Sequence, residues 1–112
     1  MEIKDLCCLI EENKEALFSL LSSLIKINSE NFGNRGNEEA CAQYIHSLCT
    51  ELGLNSQIYS PLSLENFKEN PDYFPGRGLE DRYNVSAVWQ GRDDVNELML
   101  MGHLDTVVIG DI

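Results

Sequence analysis

Residues 98–106 read LMLMGHLDT, and this stretch decides how the rest of the chain is interpreted. Four consecutive large apolar residues, Leu98 to Met101, lack the alternation of a half-exposed strand and favour a strand that is covered on both faces. Gly102 then allows a turn. His103 and Asp105 follow at the carboxyl end of this predicted strand, where open α/β sheets bind their ligands. Because residues two apart in an extended chain share a face, both side chains are expected to point into one pocket.

The chemistry of this pair fits a metal site. A neutral imidazole is a good zinc ligand, and a carboxylate two residues on can serve as a second ligand or can fix the orientation of an imidazole. Taken alone, a His-x-Asp pattern is more often a hydrogen-bonded turn than a metal site. The setting, a covered strand with Gly102 before His103, makes the pair a serious candidate for metal binding.

Several blocks of the chain resemble one enzyme family. Tyr83-Asn84-Val85, then Gly91, then residues 98–111 reading LMLMGHLDTVVIGD, resemble the first metal-binding block of the M20 metallopeptidases, the relatives of acetylornithine deacetylase and succinyl-diaminopimelate desuccinylase. The upstream layout of helix, loop and second helix is also similar. Residues 70–84 most resemble the acetylornithine deacetylase-like branch. The resemblance covers nearly the whole chain, but only one of its blocks carries chemistry.

The resemblance implies an α/β fold, the N-terminal part of a zinc-exopeptidase-like (phosphorylase/hydrolase-like) catalytic domain, with two helices followed by strands of a mixed sheet. Residues 1–112 would be the N-terminal portion of that domain, truncated after the first metal-binding motif. His103 would be a ligand of one metal in a centre of two zinc ions, or of cobalt. Asp105 would be the acidic residue called catalytic in this family, supporting the shell of metal ligands.

The same resemblance implies a metal-dependent hydrolase that cleaves an amide bond of small N-acylated amino acids or peptides. It also implies a cytoplasmic enzyme of amino-acid metabolism, and a homodimer is compatible with the complete enzyme. The family's bridging Asp, adjacent Glu pair, further carboxylate and final His are not found here. Since a catalytic zinc takes about three protein ligands, we expect the isolated chain to be inactive.

Two readings from other classes stay open. In the first interpretation, the chain is a non-catalytic α/β interaction module that binds a partner through an open sheet edge and an acidic surface. His103 and Asp105 then have a structural role. In the other it is a small α/β protein in which His103 and Asp105 only satisfy each other's hydrogen bonds.

Composition narrows the choice of partners. The formal net charge of −11 argues against a nucleic-acid partner, which would require a basic stripe. The four cysteines form no CxxC pattern and are expected to be reduced thiols, packed as small apolar residues in a cytosolic protein. The first apolar stretch is interrupted by four charged residues, so neither a secretion signal nor a membrane span is predicted; these are Glu11, Glu12, Lys14 and Glu15.

Hydrophobic spacing predicts the order of elements. Residues 4–28 are expected to form one helix, kinked near Asn13, and Asn37 is expected to cap a second helix that Gly53 ends. The inner face of the second helix is predicted to hold Cys41, Tyr44, Ile45, Leu48 and Leu52. His46, on the same helix, is interpreted as a surface or packing residue.

Strands are predicted over residues 55–59 and 84–90, and the second is expected to pair with residues 97–101 through a turn at residues 91–94. Residues 61–82 form a long connection, and connections of this length are often functional. Arg77 and Arg82 lie in it. Solvated loop positions are the simpler interpretation for both, and binding of a substrate carboxylate is the alternative.

Overall fold

The computed structural model describes residues 2–92 and 98–110. In this part of the chain it forms a small α/β fold of three α-helices, two short 3₁₀ helices (Pro61–Ser63 and Phe67–Glu69) and a two-stranded antiparallel sheet. The helices are α1 (Ile3–Glu12), α2 (Lys14–Ile25) and α3 (Glu39–Glu51), and the strands are β1 (Asn55–Tyr59) and β2 (Asn84–Val88). The predicted α/β class is confirmed. The predicted two-helix, mixed-sheet order is not what the structure contains.

The single N-terminal helix that the spacing predicts is divided into α1 and α2 at Asn13. The Asn13 side chain donates a hydrogen bond to the Leu9 carbonyl at 2.7 Å, and its backbone leaves the helical region with φ −100° and ψ 8°. Asparagine side chains compete with the helix for backbone groups in this way. The position of the predicted kink is therefore confirmed. The chain is divided into two helices at this residue, although the Asn13 N–H still donates to the Leu9 carbonyl at 3.2 Å and the Leu17 N–H to the Asn13 carbonyl at 3.0 Å.

Helix α3 begins and ends by different means. Its N-cap is Glu38, so the prediction that Asn37 caps it is wrong. The Asn37 side-chain amide instead donates a hydrogen bond to the Asn28 side-chain oxygen at 3.3 Å. At the other end Gly53 adopts φ +76°, and the Leu54 N–H donates to the Cys49 carbonyl at 3.0 Å. This left-handed residue closes the helix as predicted.

The sheet pairs β1 with β2 directly, from Asn55 opposite Val88 to Tyr59 opposite Asn84. Strand β1 has the predicted bounds, and β2 ends two residues earlier than predicted. Helix α3 packs against both strands. His46 lies half-buried at this contact, where its Nδ1 is 2.9 Å from the Ser56 hydroxyl. The packing role considered for His46 thus fits the structure.

The covered strand predicted over residues 97–101 is wrong for the residues that the structure describes. Leu98 to Met101 are not in a strand, and their side chains are between 83% and 93% exposed. Within the described residues, no third strand lies beside β2 to pair with them. An apolar run becomes a buried strand only when layers cover both of its faces. Residues 93–97, which include part of the predicted turn and the first residue of this strand, lie outside the described residues.

Residues 29–31 form hydrogen bonds with the segment that follows Met101, at Thr106 and Ile109. Glu30 and Thr106 form an isolated parallel bridge, in which the Asn31 N–H donates to the Thr106 carbonyl and the Thr106 N–H donates to the Ser29 carbonyl, both at 2.9 Å. The Ile109 N–H adds a bond to the Glu30 carboxylate at 3.0 Å. These contacts are the only parallel pairing in the described chain, and they place residues 103–109 beside the loop that precedes α3.

The buried core is small. Cys41 and Ala42 of α3 are its buried apolar residues, and Ser29 and Glu38 are buried polar ones. Of the predicted inner face of α3, Tyr44, Ile45 and Leu48 are half-buried, whereas Leu52 is 69% exposed. Among the described helices none has the length and apolar character needed to cross a membrane.

Candidate functional site

His103 and Asp105 converge as the sequence predicts. The His103 Nδ1 lies 2.8 Å from the Asp105 carbonyl oxygen and 3.3 Å from its carboxylate Oδ1. A carbonyl oxygen only accepts hydrogen bonds, so Nδ1 carries the proton that is donated to it. In the neutral ring Nε2 then holds the lone pair, and the side chain is 84% exposed. This is the tautomer in which metal-ligating histidines are usually held.

Asn31 orients the Asp105 carboxylate. The Asn31 Nδ2 donates to Asp105 Oδ2 at 2.7 Å, which leaves Oδ1 toward the imidazole. This hydrogen bond is the main cause that lowers the pKa of Asp105 below its ordinary value; burial opposes it, and the charges of His103 and Arg82 act in the same direction as Asn31. Asp105 is therefore an ionised acceptor with a defined orientation at neutral pH.

A buried ion pair lies at the start of α3. The Arg82 guanidinium binds Glu38 Oε1, and only 15% of the Arg82 side chain and 6% of the Glu38 side chain are exposed. Glu38 Oε2 is buried and has no hydrogen-bond partner among the described residues. A Cβ on Gly36 would collide with this carboxylate, so any larger residue there would require the Glu38 side chain to shift. The interpretation of Arg82 as a solvated loop residue is therefore wrong.

His103, Asp105, Arg82 and Glu38 share one cavity of about 500 Å³. Its remaining walls come from α3, β1, β2, the long connection and the segment around His103, and they are formed by Ile45, Tyr59, Pro61, Arg77, Leu79, Tyr83, Asn84, Val85, Met101, Gly102 and Leu104. Cavities of several hundred Å³ with a few polar groups are typical of small-molecule sites. The two residues chosen from the sequence thus lie in a concave site with a mixed apolar and charged wall.

The other arginine of the long connection differs from Arg82. Arg77 is exposed, as predicted, and its guanidinium lies over the Phe74 ring at 5.6 Å from the ring centroid. It lines the same cavity as His103. In the part of the chain that is described, no carboxylate forms an ion pair with it.

His103 and Asp105 could supply one ligand of a metal site and the carboxylate that orients it. The exposed Nε2 of His103 is suited to ligate zinc, and the Asp105 carboxylate beside it is suited to orient the ring. Within residues 2–92 and 98–110, however, no group of three or more His, Cys, Asp or Glu side chains is placed to hold one ion. These residues do not complete a zinc centre, which needs about three protein ligands.

The cysteines are free thiols, as predicted, but they are not all packed. Cys41 is buried and Cys49 is half-buried, whereas Cys7 and Cys8 on α1 are exposed. Burial raises the pKa of the Cys41 thiol above its ordinary value. None of the four lines the cavity that contains His103.

The sequence patterns did not predict the roles of Asn31 and Glu38 in this site. Asn31 lies 74 residues before Asp105, and no local pattern marks an amide that will meet a distant carboxylate. Glu38 and Arg82 are 44 residues apart. A weak signal existed in Gly36, two residues before Glu38, since glycine often marks a close approach.

Comparison with known proteins returned no match: no protein-family model, no curated protein and no solved structure is similar to this chain. The M20 resemblance of residues 98–111 therefore stays a prediction from the sequence.

Proposed function

We propose that this chain contributes the first metal-binding segment of an M20-like, metal-dependent hydrolase that cleaves an amide bond of N-acyl amino acids or small peptides. In this proposal His103 is a ligand of one zinc or cobalt ion, and Asp105 is the catalytic acidic residue beside it. The observation that carries the proposal is the pairing of the two side chains, with His103 Nδ1 at 3.3 Å from Asp105 Oδ1, in the wall of a cavity.

The orientation of the ring supports the role given to His103. Its Nδ1–H is occupied by the Asp105 carbonyl, so the exposed Nε2 is the nitrogen that remains for a metal. Asn31 holds the carboxylate from the other side at 2.7 Å. A side chain fixed by a chain of hydrogen bonds loses less freedom on ligation than a free one, which favours binding.

The role of Asp105 follows from its charge. Its pKa is lowered first by the Asn31 hydrogen bond, so it is anionic at neutral pH and accepts hydrogen bonds. In the proposed function it keeps the imidazole in its Nδ1–H form and adds negative charge beside the cation. The further ligands of a complete two-metal centre are supplied by residues other than those described.

A second candidate function is the non-catalytic interaction module. It is favoured by the apolar run Leu98 to Met101, whose side chains are almost fully exposed. Large exposed apolar patches mark surfaces that contact another protein or another part of the same one. In this reading the hydrogen bond between His103 and Asp105 only stabilises a turn.

Zinc titration by calorimetry separates the two candidates. We expect the chain to bind one zinc ion weakly, without hydrolysis of N-acetyl amino acids, and H103A to abolish this binding. H46N is the matched control, because His46 is the only other histidine and contacts Ser56 outside the cavity. Zinc heats that are absent from the wild type, or equal in the wild type and H103A, would refute the metal site and favour the module.

A further inference from the structure

We infer that the exposed apolar face shared by α1 and α2 is a docking surface for a basic amphipathic helix of a partner protein. The inference concerns the two N-terminal helices, to which the proposed function gives no role. It is independent of the metal site, because no residue of α1 or α2 lines the cavity that contains His103.

The apolar side chains of α1 and α2 repeat at the spacing of a helix that pairs with another helix. Ile3, Cys7 and Ile10 on α1 are separated by four and three residues, so they lie on one face. Leu17 and Leu21 on α2 continue the same repeat of seven residues. These five residues form the N-terminal stripe. A repeat of this kind buries its apolar side chains against a second helix.

The N-terminal stripe is uncovered in the described chain. Ile3 is 81% exposed and Ile10 is 63% exposed, and neither helix has a buried residue. On α2 the half-buried leucines are Leu20 and Leu24, which do not belong to the stripe. The face of α2 that is partly covered is therefore different from the face that carries the stripe.

The two halves of the stripe are joined across the division at Asn13. Helical hydrogen bonds pass through this residue, from its N–H to the Leu9 carbonyl and to its carbonyl from the Leu17 N–H. Lys14 occupies the central step of the repeat, and its Nζ is paired with Glu11 Oε1 at 3.0 Å. A single polar residue at such a step fixes how two paired helices align. The stripe therefore favours one alignment of a partner helix.

The charges beside the stripe select the partner. Residues 2–15 include two lysines and five acidic residues, which are Glu2, Asp5, Glu11, Glu12 and Glu15. The whole chain carries a net charge of −11. A second copy of this chain or an anionic bilayer would bring like charge to this face, whereas a basic partner brings opposite charge. A basic amphipathic helix supplies apolar residues at the matching spacing, with Lys or Arg beside them.

The two cysteines of α1 provide an internal test on the full chain. Both are exposed free thiols, and Cys7 belongs to the stripe. The neighbours of Cys8 three and four residues away on the helix are all charged; they are Lys4, Asp5, Glu11 and Glu12. A partner helix on the stripe therefore covers Cys7 and leaves Cys8 accessible.

Alkylation by N-ethylmaleimide is followed at each cysteine by tandem mass spectrometry. The probes are a synthetic amphipathic helix of leucine and lysine, its counterpart of leucine and glutamate, and a leucine–lysine peptide of scrambled order. We expect the leucine–lysine helix to slow alkylation of Cys7 several-fold and to leave Cys8 unchanged. The other two peptides should protect neither cysteine.

Variants give a second measurement, by fluorescence anisotropy of the labelled leucine–lysine helix. I10S should weaken its binding at least about tenfold, because burial of an isoleucine side chain accounts for that much affinity. L52S is the matched control, since Leu52 is 69% exposed but lies at the end of α3. M99S is the control for the exposed run of residues 98–101. Circular dichroism verifies that each variant keeps the helices.

Several outcomes would overturn the inference. These are equal protection of Cys7 and Cys8, protection by the glutamate or scrambled peptide as strong as by the leucine–lysine helix, and a loss of binding in L52S or M99S equal to that in I10S. Sedimentation tests the two occupants that the charge argument excludes, a second copy and a vesicle of phosphatidylcholine and phosphatidylglycerol. A dimer or a vesicle complex that forms with the wild-type chain and is lost in I10S would assign the stripe to that occupant instead.

Discussion

At the scale of single residues, the site depends on one amide. Asn31 bonds the Asp105 carboxylate with its side chain and the Thr106 carbonyl with its backbone N–H. Its side-chain oxygen also accepts from the Gly33 N–H at 2.8 Å. One residue thus fixes the loop before α3, the orientation of Asp105 and the position of the segment that carries His103.

We expect N31A to loosen residues 103–106. The variant removes a hydrogen bond to a partly buried carboxylate, and a loss of about 1 kcal/mol should speed amide exchange at Thr106 several-fold. Hydrogen exchange read by mass spectrometry or NMR measures this. N34A is the matched control, because Asn34 lies in the same loop and its side chain makes no hydrogen bond within the described residues. Equal exchange at Thr106 in N31A and N34A would show that Asn31 does not hold the segment.

At the scale of elements, the N-terminal helices show how one side chain divides an otherwise continuous helical pattern. Leu17, Leu20, Leu21 and Leu24 continue the spacing that predicts a single helix, yet the Asn13 side chain binds the Leu9 carbonyl and the chain leaves the helical region there. The spacing of apolar residues predicts which face of a helix is apolar. It does not report whether a side chain competes for the backbone at one position.

Replacing Asn13 by alanine should join α1 and α2. The substitution removes the bond to Leu9 and gains about 0.5–0.7 kcal/mol of intrinsic helix propensity. We expect a larger far-UV helical signal and slower amide exchange over residues 13–17. E12A is the control, because it raises propensity at the neighbouring position while leaving the Asn13 bond in place. A signal no larger in N13A than in E12A would contradict this account of the break.

At the scale of the whole molecule, the dominant property is incomplete burial of apolar surface. The radius of gyration is 17.2 Å, against about 13 Å for a compact domain of this length. The apolar residues that remain more than four-fifths exposed include Ile3, Trp89, Val107 and the four residues Leu98 to Met101. A chain that buries so little gains little hydrophobic stabilisation to offset its conformational entropy.

We therefore expect the isolated chain to be poorly soluble, or to retain its helices without a cooperative melt. Differential scanning calorimetry, far-UV circular dichroism and binding of the dye ANS measure these properties together. The expected result is helical signal with ANS fluorescence and no sharp heat-absorption peak. A sharp cooperative transition in a monomer that does not bind ANS would contradict it.

The sequence predicts a structural feature well when residues close together in the chain determine it. Gly53 ends α3 because a left-handed residue is needed there, and residues 55–59 form β1 as their composition predicts. Leu98 to Met101 were expected to be covered, but cover depends on neighbouring strands, and within the described residues there are none beside them. In the same way, the ion pair of Glu38 with Arg82 joins residues too distant in the chain for any local pattern to predict.

Short-range chemistry in the chain is sufficient to place His103 beside Asp105, because two side chains two residues apart meet through geometry that is local to the backbone. Which groups surround that pair is a different matter. Asn31 reaches Asp105, Arg82 is neutralised by Glu38, and Arg77 lines the same cavity. These outcomes depend on contacts between segments 44 or more residues apart. They arise only when the loop before α3, the long connection and residues 103–109 fold against one another.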